Sequence, residues 1–149
     1  MPNLSKICFP VLNPFLVTRV AGSCDLDEFG HVNNVRYVAW AMDAAWAHSK
    51  AIGMSFAEYD RIGAGFVVQR HDFKYLAPVH EGDEVTIATW IDANDGRVRL
   101  IRRFEIWAGD DRKCFTGATH MVAIDLKSGR PTRMPKEFVE AYPPAARHG

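Results

Sequence analysis

A single long apolar helix constrains this chain more than any other feature. Over residues 35–51, twelve of seventeen positions are apolar or aromatic, with Asn33 or Asn34 available as N-cap and Gly53 just past the end. The charged residues Arg36, Asp43 and Lys50 are spaced seven apart, so they form one narrow stripe and leave the rest of the circumference apolar. Such a helix is expected to be wrapped by protein around most of its girth.

Around it lie segments of strand composition at 15–21, 65–76, 83–92, 97–108 and 113–125. The separators carry Pro78 and Gly82, then Asn94-Asp95-Gly96, then Gly109-Asp110-Asp111, short enough for the last four strands to run as an antiparallel meander. A short amphipathic stretch at 135–142 follows, then a Pro-rich tail. One helix of this length cannot supply the crossovers of a doubly wound parallel sheet. The predicted architecture is therefore α+β, an antiparallel sheet curled around one central helix at about 34–52, in a single domain spanning 1–149 with its core at about 15–142. Along 97–107, Val98, Leu100, Phe104 and Ile106 share one face and Arg97, Arg99, Arg103 and Glu105 the other. Arg102 breaks the alternation, which requires either a bulge or a buried arginine.

Composition narrows the function. The 149 residues carry 18 Lys+Arg against 18 Asp+Glu, a formal net charge of +0, so no long-range field attracts a polyphosphate chain and a nucleic-acid partner is not expected. At 48% hydrophobic and 24% charged residues, the chain has material for a core rather than the balance of a disordered segment. The N-terminal twenty residues hold one Lys and an apolar run broken by Pro10, Asn13 and Pro14, which fits neither a signal peptide nor a membrane span. A cytoplasmic protein with no membrane partner is expected. Cys8, Cys24 and Cys114 lack CxxC spacing and argue against a disulfide framework or a structural zinc site. The triplet Asn3-Leu4-Ser5 has no meaning as a glycosylation acceptor without a secretory signal.

Chemistry concentrates just before the helix. Residues 24–34 read Cys24-Asp25-Leu26-Asp27-Glu28-Phe29-Gly30-His31-Val32-Asn33-Asn34, with three carboxylates, a histidine, a glycine and two carboxamides in eleven positions. An EF-hand loop is excluded because Phe29 replaces the third ligand and Arg36 stands where the closing Glu belongs. Asx turns and an N-cap alone account for Gly30, Asn33 and Asn34. The functional reading places a carboxylate beside the positive end of a buried helix, whose free N–H groups polarise a carbonyl oxygen. An Asp, with an ordinary pKa of about 3.9, is ionised near neutrality and can attack a carbonyl or activate water. A thioester is the fitting substrate for so weak a base, because its thiolate leaves without full protonation.

The pattern Asp25-x-Asp27-x-x-Gly30-His31-Val32-Asn33-Asn34-x-x-Tyr37-x-x-Trp40 resembles the loop-plus-helix signature of hotdog-fold thioesterases, in the branch of 4-hydroxybenzoyl-CoA thioesterase and bacterial acyl-CoA thioester hydrolases. Tyr75-x-x-Pro78 followed by Gly82-Asp83 is similar to that family's strand-turn-strand, and the likeness covers roughly 15–142. The resemblance implies an acyl-CoA thioesterase without metal or cofactor, with Asp27 as nucleophile or general base and Gly30, His31 and the first helical turn polarising the carbonyl. Asp25 is then a turn former or a supporting carboxylate. Asn33, Asn34 and Tyr37 are implied to bind substrate.

Two departures from relatives stand out. The helix also resembles plant acyl-ACP thioesterases, but Phe29 occupies the Asn of their Asn-x-His and only His31 matches. Met42 stands where many bacterial relatives carry an acid, and Asp43 is the acid here. An acyl carrier protein is thus a second candidate partner, and a hotdog hydratase or a non-catalytic acyl-carrier-binding module are the competing functions.

Cys24 lacks a basic partner and reads as a small buried thiol. Gln69 and His71 share a strand face with Phe73 and Tyr75 and are candidate pocket residues. Arg97, Arg99 and Arg103 form the leading cluster for coenzyme A phosphates, since the guanidinium fork matches phosphate oxygens. A lone curled sheet leaves an exposed edge and an uncovered helix flank, so a homodimer or homotetramer is expected.

Overall fold

A computed structural model describes residues 3–149; Met1 and Pro2 of the N-terminal stretch lie outside them. Five strands, β1 (Phe15–Val20), β2 (Ala64–Tyr75), β3 (Glu84–Asn94), β4 (Arg99–Ala108) and β5 (Arg112–Asp125), and three α-helices, α1 (Asn34–Ala51), α2 (Phe56–Ile62) and α3 (Lys136–Ala141), are joined by loops that include short 3-10 turns at Leu4–Lys6 and Ser23–Asp25. The strands form one sheet in the order β1-β3-β4-β5-β2, every pair antiparallel. α1 lies across its concave face, where Tyr37, Trp40, Ala41 and Ala44 pack against Val85, Ile87, Phe104, Ile106 and Phe115. This is the curled sheet around a helix that the strand and helix composition requires.

The meander holds for β3, β4 and β5 but not for β2. Instead of pairing with β3, β2 runs beside β5 at the far edge, and the connection at 76–83 crosses to the other side. Val79 anchors that crossing: its carbonyl accepts from Val32 N–H at 3.0 Å, and its N–H donates to the Tyr37 hydroxyl at 3.0 Å. The first helical turn and the 78–79 segment are therefore locked together.

The N-cap of α1 is Asn33, whose side chain accepts from Val35 N–H at 3.0 Å. The helix is less enclosed than its composition suggests. Tyr37, Trp40, Ala41, Ala44 and Ser49 are buried, but Val35 is 70% exposed and Trp46 40%. α2 has no counterpart in the predicted elements. Its signal is the Ser55-x-x-Glu58 spacing, with Ser55 Oγ accepting from Glu58 N–H at 3.3 Å.

The Arg102 anomaly resolves as a buried arginine, not as a bulge in its own strand. Arg102 is 3% exposed and shares the concave face with Leu100, Phe104 and Ile106, while the bulge sits on the neighbouring strand, where the register shifts between Ile91 and Ala93 opposite it. The convex face is covered by the chain ends: Ile7, Phe9 and Val11 pack with Ala88 and Trp90. No helix among the described residues is long and apolar enough to cross a membrane.

Candidate active site

The loop from Ala21 to Asn33 is held by its own polar groups. Asp25 Oδ2 accepts from Gly22 N–H at 2.9 Å, its Oδ1 pairs with Arg36 Nε at 3.1 Å, and its carbonyl accepts from Asn33 N–H at 2.8 Å. Asp25 thus ties the loop to the first turn of α1. Its side chain is 13% exposed, so both oxygens are committed to structure.

Asp27 is placed differently. Its Oδ1 accepts from Phe29 N–H at 2.9 Å and His31 N–H at 3.3 Å, an Asx turn completed by Asp27 N–H donating to the His31 carbonyl at 2.8 Å. Gly30 N–H donates to the Asp27 carbonyl at 3.1 Å, and Gly30 adopts φ 77, a backbone angle that a side chain strongly disfavours. These bonds leave Oδ2 without a partner among the described residues. Asp27 is half-buried and lines a cleft of about 290 Å³ with His31, Val32, Asn34, Tyr37, Tyr75 and the 76–78 segment.

The same bonds sort the candidate carbonyl-polarising groups. The Gly30 and His31 N–H groups close the turn on Asp27, and the Val32 and Asn33 N–H groups are taken by Val79 and Asp25. Asn34 N–H, in the first turn of α1, has no partner among the described residues and is an open donor at the positive end of an 18-residue helix. The His31 ring meets that of His80, with centroids 5.3 Å apart. Tyr37 lies beneath the cleft, and burial pushes its phenol pKa up, so it serves as a neutral hydrogen-bonding post for Val79.

Tyr75, which composition placed only on a strand face, belongs to the cleft: its hydroxyl donates to the Asn34 carbonyl at 3.3 Å and its ring stands edge-on to Tyr37 at 5.4 Å. Its signal was the Tyr75-x-x-Pro78 spacing, since Pro78 also lines the cleft. His71 does not reach the cleft; its Nδ1 meets Thr119 Oγ1 at 2.9 Å. The arginine row lies outside it too. Arg97 and Arg99 are exposed, Arg99 Nη1 donates to Gln69 Oε1 at 3.1 Å, and Arg103 Nε pairs with Asp92 at 3.1 Å. Phe29, at the position that departs from the acyl-ACP thioesterases, is 85% exposed on the loop. Asp43, the acid one place beyond Met42, pairs with Arg19 at 3.1 Å on the surface. Among the described residues no three His, Cys, Asp or Glu side chains gather as a metal site would require.

A curled antiparallel sheet around one helix, with a carboxylate cleft at the helix start, defines a hotdog-fold protein. The chain belongs to the thioesterase-like superfamily, whose family model matches residues 23–142. It is similar to the Bacillus subtilis (strain 168) protein named "Putative acyl-CoA thioesterase YneP", 21% identical over 114 residues covering 76% of this chain and 82% of that one. Among solved structures, it resembles the Staphylococcus aureus protein SAV2348 in complex with CoA, at TM-score 0.80 and 20% identity over 88% of this chain and 82% of the other. It also resembles Slr0204, a 1,4-dihydroxy-2-naphthoyl-CoA thioesterase from Synechocystis, at TM-score 0.76 and 19% identity over 87% of this chain and 95% of that one.

Proposed function

We propose that this protein hydrolyses acyl-CoA thioesters to a carboxylate and free coenzyme A, with Asp27 as the nucleophile or general base. The observation that carries the reading is the juxtaposition of an unpartnered Asp27 Oδ2 and an unpartnered Asn34 N–H on one cleft. The thioester oxygen binds at the start of α1, where the helix dipole and the Asn34 N–H stabilise negative charge as the carbonyl becomes tetrahedral. Either Asp27 Oδ2 attacks the acyl carbon, expelling the thiolate and leaving an anhydride that water cleaves, or it takes a proton from the attacking water. The anhydride route forms two C–O bonds and breaks one of them again, so the net change on both routes is one C–O bond formed, one C–S bond broken and one water consumed, whose proton is passed to the thiolate or to solvent. Asn33 holds the helix start in place, Tyr37 fixes the cleft floor through Val79, and Gly30 permits the turn that presents Asp27.

Coenzyme A rather than a carrier protein is supported by the CoA-bound neighbour and the acyl-CoA thioesterase relative. Arg97, Arg99 and Arg103 are the phosphate contacts in this reading. β2 is an edge strand carrying Val67 at 41% and Val68 at 46% exposure, and a homodimer or homotetramer built through that edge covers both. Cys24, expected from the sequence to be buried, is exposed, as is Cys8, while Cys114 is buried; three unpaired cysteines suit a cytoplasmic setting.

The deciding experiment is a panel of short, long, branched and aryl acyl-CoAs assayed for free thiol, with light scattering on the same sample. Thiol release from at least one thioester supports the reading. Hydration of an enoyl thioester without thiol release, or no turnover of any thioester, overturns it. A stable 16.8 kDa monomer at micromolar concentration removes the oligomer from it.

A further inference from the structure

A second cavity, of about 350 Å³, lies beside the latter half of α1 and shares no lining residue with the Asp27 cleft. That volume is within the range of roughly 300–1,000 Å³ that small-molecule sites occupy. Met42, Trp46, Phe56, Phe66, Leu100 and Met121 give it an apolar wall. The same wall contains Arg102, 3% exposed.

Arg102 has an unusual set of partners for a buried guanidinium. Nη1 donates to His48 Nδ1 at 2.9 Å and Thr89 Oγ1 at 3.2 Å, both neutral acceptors. Nε and Nη2 have no acceptor among the described residues, and none of the ion pairs among them includes Arg102. Asp60 lines the cavity from an exposed position but makes no ion pair with it. Burial lowers the Arg102 pKa only to about 10, so the charge persists at neutral pH. A buried charge without a counter-ion is costly and is met in proteins by a partner or a bound ligand. Ser49, Tyr59 and Tyr142 add hydroxyls to the same wall, joined by a Ser49–Tyr142 bond of 2.8 Å and a Tyr59–Tyr142 bond.

We propose that this cavity binds a ligand with an apolar body and a carboxylate head, the carboxylate pairing with Arg102. The carboxylate has two sources: the distal end of a dicarboxylic acyl group, which rests on the proposed thioesterase activity, or a free carboxylic acid, which does not.

Calorimetric titration of the intact protein with octanoate, octanamide and 1-octanol tests the charge requirement without any variant. Octanoate is expected to bind at least about tenfold more tightly than either neutral analogue, the range for hydrogen bonds to a charged group being about tenfold to a hundredfold. Arg102→Met should remove that preference and leave 1-octanol binding unchanged. Ala45→Leu narrows the cavity from a half-buried helix position and should weaken octanoate binding while Arg102 remains. Hydrolysis of the mono-CoA thioester of octanedioic acid is then compared with that of octanoyl-CoA. A preference for the former assigns the carboxylate to the substrate, and equal rates assign it to a free acid. Octanoate preference in a protein that hydrolyses no thioester upholds the cavity and defeats the proposed activity. Equal affinity for octanoate and 1-octanol, no octanoate binding, or octanoate binding unaffected by Ala45→Leu overturns the proposal.

Discussion

Asp25 and Arg36 meet at 3.1 Å across the junction of loop and helix, while Asp27, two residues on, keeps one oxygen free in the cleft. The proposed mechanism therefore gives the two neighbouring carboxylates separable duties. Asp27→Asn retains an oxygen for the Phe29 and His31 N–H groups, so the turn survives, but the amide can neither attack an acyl carbon nor accept a proton from water. The expected loss in kcat/KM is on the order of 10²–10⁴, with the melting temperature nearly unchanged. Asp25→Asn gives up a partly exposed ion pair worth about 0.2–1 kcal/mol, and should lower the melting temperature slightly while retaining most activity. Thermal melts and acyl-CoA kinetics on both variants check this; equal activity of Asp27→Asn and the parent refutes the catalytic assignment, and the reverse order moves it to Asp25.

The division between the two aspartates was only half legible in the sequence. Density of polar groups and the motif pointed to the loop, and the pair Asn33/Asn34 with Gly53 bracketed the helix because caps are local signals, Asn33 proving to be the cap. Which carboxylate is free depends on Arg36 and the Gly22 N–H, and those contacts exist only once the loop folds back on the helix. Strand pairing was hidden for the same reason. Nothing in 65–76 distinguishes β3 from β5 as its partner, and the crossing is set by Val79 binding Val32 and Tyr37. For Arg102, parity placed the residue with Leu100 and Phe104 but left a bulge and a buried arginine equally open. What lies opposite it, His48 and Thr89, is tertiary.

On the proposed reading, neutralising Arg97, Arg99 and Arg103 together should raise KM for acyl-CoA more than it lowers kcat, because contacts to the coenzyme's phosphates would persist in ground and transition states alike. At about 0.2–1 kcal/mol per exposed contact, the expected rise is between about threefold and a hundredfold. Arg103 is already paired with Asp92, so the Arg97/Arg99 double variant should carry most of the effect. Steady-state kinetics at two salt concentrations provides the check, and an unchanged KM returns the row to an ordinary solvated sheet face.

His48 supplies a pH dependence with a definite sign. Burial, reinforced by the Arg102 charge, lowers its pKa from 6.5 to about 4, so the folded protein keeps it neutral where the unfolded chain protonates it. Stability from this group is fully present above about 6.5 and declines as pH falls from there toward 4. His48→Gln keeps an acceptor for Arg102 Nη1 and removes the titration. Its melting temperature should accordingly fall less than that of the parent between pH 7 and pH 4.5, in scans at fixed ionic strength. Parallel profiles for the two proteins exclude His48 as the source.

Gly117 tests how tightly β2 is seated on β5. A Cβ built there overlaps Phe73 Cδ1 and comes within 2.8 Å of the Asp72 carbonyl oxygen, with Phe73 paired directly opposite. The ring can rotate away, but the carbonyl is part of a paired strand and moves only if the sheet does. Gly117→Ala is expected to destabilise by about 1–3 kcal/mol, as overpacking does, and to lower the melting temperature by about 2–4 °C for each kcal/mol in a chain of this size. Adding Phe73→Ala removes the nearer clash and leaves the second, so in a double-mutant cycle the glycine substitution should cost less in that background without becoming neutral. Chemical denaturation of the four proteins measures the coupling. A Gly117→Ala variant as stable as the parent shows that β2 can shift away from β5 without loss.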